Sequence, residues 1–199
     1  MMLFCMTFGI AGCGSAENEG PAITGQVIEF DDEENAYILA DEGQDIQDLF
    51  CIPKEGFEEK MLQHGNRIQV FYDGSYAKSN PILIHPESVE LEEALGEGDY
   101  VSISMEQADY LMHYSKDFIL LDVRTEEEYE EKHIKGAQLL PLDEVEAKAE
   151  QQLPEKEQRI YVYCRSGNRS KQASEILTSL GYTNIIEIGG IQDWQGEVE

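Results

Sequence analysis

Cys164 is followed by Arg165, Ser166, Gly167, Asn168, Arg169 and Ser170, and this run of residue types is suited to making a cysteine nucleophilic. The apolar stretch Ile160-Tyr161-Val162-Tyr163 reads as a strand ending at the cysteine. Ala173, Ile176, Leu177 and Leu180, spaced i, i+3, i+4, i+7 and closed by Gly181, read as a helix beginning just after it. A loop between a strand end and a helix start presents unpaired backbone N–H groups and the positive end of the helix dipole to any anion held there. The thiolate is such an anion. In surroundings of this kind a cysteine pKa falls from about 8.5 into the range of roughly 3.5 to 7.5.

The local charge points the same way. Residues 158–174 hold Arg159, Arg165, Arg169 and Lys171 and no Asp or Glu, in a chain with 41 acidic and 14 basic residues and a net charge of −27. A body this acidic repels small anions at long range, so a basic loop must admit one through short-range contacts. The ordinary reading, a buried structural cysteine before a helix, is outweighed by the glycine, the paired arginines and the strand-to-helix placement. The same charge excludes nucleic acid as a partner and an electrostatic grip on anionic lipid.

The chain has 199 residues, 41% of them apolar, enough for one or two folded cores. From Ile23 to Leu91 the pattern is β-rich. Strands are expected over 23–30, 36–40, 48–52, 67–72 and 82–84, with a short helix from Glu55 to His64. This arrangement resembles the partly open five-stranded barrel of the OB-fold, an all-β domain assigned to residues 22–91. The Asp31-Asp32-Glu33-Glu34-Asn35 cluster lacks the spaced carboxylates and glycine of a calcium loop and reads as a solvated hairpin tip. No Cys/His spacing suggests zinc or another metal.

Residues 92–99 read as a linker, and from Tyr100 onward strands alternate with helices. Ser104 and Gln107 form a capping box for a helix through Met112, Thr125 and Glu128 begin another, and Asp143 starts a third that ends by Pro154. A last strand is read at 184–187. Such alternation predicts an α/β domain with a mostly parallel sheet and its site at the carboxyl end of a strand.

Within this half, several motifs recur in order: Leu121-Asp122-Val123-Arg124, Glu128-Tyr129, His133-Ile134-Lys135-Gly136-Ala137 leading to Leu140-Pro141, the Cys164 loop, and Gly189-Gly190-Ile191 with Trp194. On these residues the segment 100–199 resembles a single rhodanese domain. The resemblance implies sulfur transfer through a persulfide on Cys164. Arg165, Ser166, Gly167, Asn168 and Arg169 are then the substrate-binding loop, and Asp122 and Arg124 brace it. Four residues separate Cys164 from Arg169, as in sulfur-transferring rhodaneses. Related phosphatases carry a loop one residue longer and usually have histidine where Tyr163 stands. His133 is assigned to structure and Trp194 to the core. Thiosulfate or a persulfide is the expected donor, a thiol or cyanide the acceptor, and no cofactor is required.

The N-terminal run Met1 to Ile10 is apolar and uncharged, too short to span a bilayer, and reads as part of a signal peptide over 1–12. Ile10-Ala11-Gly12-Cys13 resembles the lipobox of bacterial lipoproteins, which implies lipidation at Cys13, a tether over 13–21, and an extracytoplasmic protein held to the membrane by its lipid alone. No Lys or Arg precedes residue 13, so the positive flank of such a leader is missing. The barrel leaves room for a protein partner. Two other functions fit the residues: a non-catalytic binding or scaffold lipoprotein, and a thiol redox protein using Cys164.

Overall fold

The computed structural model describes residues 20–30, 35–41, 49–58, 60–77, 79, 82–114 and 116–199. The expected signal peptide, Cys13 and the tip at 31–34 lie outside the described residues.

Two sheets organise the chain. The first has the order β5-β3-β2-β1-β4-β6, built from β1 (Ala22–Phe30), β2 (Asn35–Ala40), β3 (Leu49–Pro53), β4 (Arg67–Phe71), β5 (Ile82–Leu83) and β6 (Ser88–Glu93). Its pairs are antiparallel except β3 with β5. Alternation in Ile68 and Val70 of β4 directs apolar side chains to one face, where they meet Val27, Ile38, Phe50, Ile52 and Ile84 in a buried core. The two edge strands are neighbours in the chain. Between them the N–H of Ile84 donates to the carbonyl of Cys51 in β3 (3.0 Å) and that of Glu87 to Phe71 in β4 (2.8 Å), so one segment ties the two ends of the sheet together.

Two expectations fail in this region. The described residues of the stretch 55–64 form turns and bends and no helix. Gly56 and Gly65 both adopt positive φ (+92° and +81°), a conformation that interrupts helical hydrogen bonding, and the Asn66 side chain donates to the carbonyls of Lys60 (2.8 Å) and Met61 (3.2 Å). Strand β6 has no counterpart among the expected strands. Only Val89 on it is buried, so its ladder to β4 creates little hydrophobic pattern.

The second sheet is entirely parallel, in the order β7-β11-β10-β8-β9: β7 (Val101–Ser102), β8 (Phe118–Asp122), β9 (Gln138–Leu139), β10 (Arg159–Cys164) and β11 (Ile185–Gly190). Between the strands lie α1 (Met105–Tyr114), α2 (Glu126–Glu131), α3 (Leu142–Gln152) and α4 (Asn168–Ser179). A short 3-10 turn, Ile191–Asp193, follows β11. Val145 and Ala149 of α3 and Ala173 and Leu177 of α4 bury against Leu121, Ile160, Val162 and Ile185. Ala108 and Leu111 of α1 join Leu120, Tyr161, Tyr163, Ile186 and Ile188 in another cluster. Residues 160–164 of β10 are all buried, as a central parallel strand covered on both faces requires. The α/β expectation is met in this half, and Cys164 ends the central strand.

Candidate active site

The loop after β10 turns on Gly167, whose φ of +94° lies in the left-handed region that side-chain-bearing residues avoid. That turn swings the backbone back over the sulfur. The Gly167 N–H points at the Cys164 Sγ at 3.2 Å, and the Cys164 thiol donates to the Ser170 hydroxyl oxygen at 3.6 Å. Burial pushes the Cys164 thiol up. Hydrogen bonding with the Ser170 hydroxyl and with the backbone N–H groups of Ser170, Ser166 and Gly167 outweighs it, and the net shift is below the ordinary thiol value. Cys164 is 1% exposed, so its sulfur lies at the floor of the loop.

Gly190 of β11 supports the loop from below. A Cβ built there would lie 2.4 Å from the Arg165 carbonyl oxygen and 2.5 Å from the Ser166 Cα. Only hydrogen at this position lets the strand approach so closely.

The arginines divide their work. Arg169 is tied to Glu128 of α2 by two parallel bonds, Nη1 to Oε2 at 2.6 Å and Nη2 to Oε1 at 2.9 Å. Glu128 also closes the capping box with Thr125. The bond from Arg169, set against partial burial, holds its carboxyl down at about 2. Arg165 lines a cleft of about 280 Å³ beside the loop, together with Arg124, Glu128, Glu131, Lys132, Ile191 and Gln192.

Asp122 and Arg124 form a buried pair at the end of β8. The Arg124 Nη2 meets Asp122 Oδ2 at 2.6 Å and the carbonyl of Lys132 at 2.7 Å, while its Nε meets both carboxylate oxygens at 3.0 Å. The pair sits against Tyr163, whose phenol is raised by burial and by Asp122. Tyr163 in turn accepts the Ile134 N–H at 3.2 Å. His133 stacks on Tyr129 with centroids 3.7 Å apart, and the Trp194 indole N–H donates to the Glu197 carbonyl at 3.1 Å. Cys51 and Cys164 are both buried, and no disulfide joins them.

Three side chains at the site were given no role by the sequence reading: Ser170, Glu187 and Ser102. Ser170 and Glu187 are buried, and the Ser170 hydroxyl donates to Glu187 Oε1 at 2.5 Å. Glu187 could have been found from its setting. An acid inside Ile185-Ile186-Glu187-Ile188, a strand covered on both faces, must have polar partners waiting for it.

A cysteine at the carboxyl end of a parallel strand, wrapped by a loop opening onto a helix, defines the rhodanese-like class. The rhodanese-like domain family matches residues 104–197. The chain is 41% identical over 73 residues to the thiosulfate sulfurtransferase PspE of Escherichia coli, covering 37% of this chain and 70% of that protein. The chain belongs to the rhodanese family. It is also 38% identical over 99 residues to the adenylyltransferase and sulfurtransferase UBA4 of Meyerozyma guilliermondii, covering 46% of this chain and 23% of that longer protein. Among solved structures, a rhodanese with anions from E. coli aligns at 37% identity with a TM-score of 0.39, covering 41% of this chain and 95% of that one.

Proposed function

We propose that the protein is a sulfurtransferase that moves sulfane sulfur from thiosulfate or a persulfide donor to a thiophilic acceptor through a persulfide on Cys164. The observation that carries this is a buried Cys164 sulfur that receives the Gly167 N–H and is hydrogen-bonded to the Ser170 hydroxyl, contacts that lower its pKa. Relatedness to PspE supports sulfur transfer as the reaction class.

In the first step the Cys164 thiolate attacks the outer sulfur of thiosulfate. An S–S bond forms, the S–S bond of the donor breaks, and sulfite leaves with the electron pair. The negative charge stays on the outer sulfur of the persulfide, within reach of the N–H groups of residues 165–169. An acceptor thiolate or cyanide then attacks that outer sulfur and returns Cys164 to the thiolate. Arg165, facing the cleft, is the cation for the sulfonate. Arg169, held by Glu128, contributes charge and fixes the loop. Asp122 and Arg124 keep the ends of β8 and β10 in place. The reaction needs no metal and no organic cofactor.

Residues 22–91 are read as an OB-like barrel, supported by the chain-linked edges of the first sheet. Cys13 is read as the lipid anchor of an extracytoplasmic protein, supported by its lipobox-like sequence. Metabolic labelling with a fatty acid, lost in Cys13→Ser, tests the anchor.

The central experiment incubates the protein with thiosulfate and records its intact mass, with Cys164→Ser as control. Gain of one sulfur atom by the parent alone establishes the persulfide step. No gain sinks the thiosulfate mechanism.

A further inference from the structure

The cleft of about 280 Å³ beside the cysteine loop is smaller than the roughly 300–1,000 Å³ of pockets for drug-sized ligands, so it fits a small molecule. Among the described residues five charged side chains line it, and two of them are engaged elsewhere, Arg124 with Asp122 and Glu128 with Arg169. Arg165, Lys132 and Glu131 remain. All three are exposed at the rim, and their side chains make no ion pair or hydrogen bond among the described residues.

The two cations have an evident use, since both the donor thiosulfate and the departing sulfite are anions. Glu131 does not, because a carboxylate at the rim repels them. Nor does its place in the fold account for it. Glu131 is the last residue of α2, where the helix carbonyls disfavour negative charge, and no basic residue stands in that turn. Glu127 lies one turn back, a like charge at i, i+4. An acid that destabilises its own helix and is left unpaired there is accounted for by a ligand that brings a cation.

We propose that Glu131 is a specificity-determining residue for the second step, selecting as sulfur acceptor a small thiol that carries both an ammonium and a carboxylate group, such as cysteine. Glu131 takes the ammonium group, and Arg165 and Lys132, once sulfite has left, take the carboxylate. Such a thiol arrives as a zwitterion without net charge, which a chain of net charge −27 does not repel as it repels an anion. The acceptor thiol gives its proton to water, and its thiolate attacks the outer sulfur of the Cys164 persulfide. A new S–S bond forms, the bond from that sulfur to Cys164 Sγ breaks, and the electron pair stays on Sγ. The acceptor sulfur is oxidised to a persulfide as Cys164 is reduced to its thiolate. This rests on the reading of Cys164 as the sulfur-transfer nucleophile and adds what takes the sulfur away.

The test loads the full chain with sulfur from thiosulfate or, failing that, inorganic polysulfide, and checks the loading by intact mass. It then measures the second-order rate of sulfur transfer to cysteine and to 3-mercaptopropionate, which has the carboxylate and no ammonium group. Each thiol is compared between parent and variant, so its intrinsic reactivity cancels. The ratio of the cysteine rate to the mercaptopropionate rate is expected to fall about fivefold in Glu131→Gln, the scale of a solvated ion pair, and further in Glu131→Lys. High salt should erase the difference between parent and variant. Both variants should melt no lower than the parent, because α2 loses a like-charge pair. An unchanged ratio in a variant that loads sulfur normally, or a variant that melts lower, overturns this proposal and leaves the sulfurtransferase reading intact. A protein that loads from neither donor overturns both.

Discussion

Glu128 and Arg169 meet in a bidentate ion pair across 41 positions of sequence, joining the first turn of α2 to the first turn of α4. The guanidinium that ends the cysteine loop is thereby locked in place, and Arg165 is left as the loop cation facing the cleft.

Removing this lock has a pH signature. The folded Glu128 carboxyl lies at about 2, below its ordinary 4.5, so its contribution is present above the ordinary value and is lost as pH falls toward about 2. The pair is partly solvated, with side chains 29% and 25% exposed, so its net contribution is about 1 kcal/mol. Glu128→Gln is expected to lower stability by that amount at neutral pH and to flatten its decline in acid. Denaturant melts of both proteins across the acid range measure it, and parallel curves would refute it.

Ser170→Ala removes a hydroxyl that stabilises the sulfur anion. A hydrogen bond to a charged group contributes about 1.5–3 kcal/mol. Alkylation of Cys164 by iodoacetamide at neutral pH is expected to slow roughly tenfold or more, with the rate profile moved to higher pH. An unchanged profile would show that the backbone N–H groups suffice.

Asp122→Ala leaves the Arg124 guanidinium, on a residue 5% exposed, without its carboxylate. Breaking a buried pair on one side costs about 3–5 kcal/mol. Equilibrium unfolding should show a loss of this size. Replacing both residues should cost less than the sum of the two single changes, because no uncompensated charge remains.

Gly190→Ala forces a methyl group against the backbone of Arg165 and Ser166, atoms that cannot rotate away. Overpacking of this kind costs about 1–3 kcal/mol. The displaced loop should also lose its aim at the sulfur, so slower alkylation of Cys164 should accompany the lower melting temperature. Normal alkylation in a destabilised variant would separate the loop geometry from β11.

Much of the segment 100–199 was legible because its information is local. The apolar run before Cys164 and the i, i+3, i+4, i+7 spacing after it define a strand and a helix with no reference to distant residues, and the loop chemistry follows from where they meet. The 55–64 stretch misled for the complementary reason. Its spacing allows a helix, but positive φ at Gly56 and Gly65 and the Asn66 side chain bond the backbone another way. β6 stayed hidden because an edge strand with one buried residue leaves almost no hydrophobic pattern.

By itself the sequence determined the strand, loop and helix around Cys164 and the parallel α/β frame, since these depend on neighbours along the chain. Only the tertiary structure decided what each polar group faces. Arg169 turns to Glu128, and Ser170 bridges Cys164 to Glu187, 17 positions away, itself bonded to Ser102, 85 positions away. Hydrogen bonds and ion pairs act over about 3 Å in space, and no residue-by-residue periodicity encodes which distant partners folding will bring within that reach.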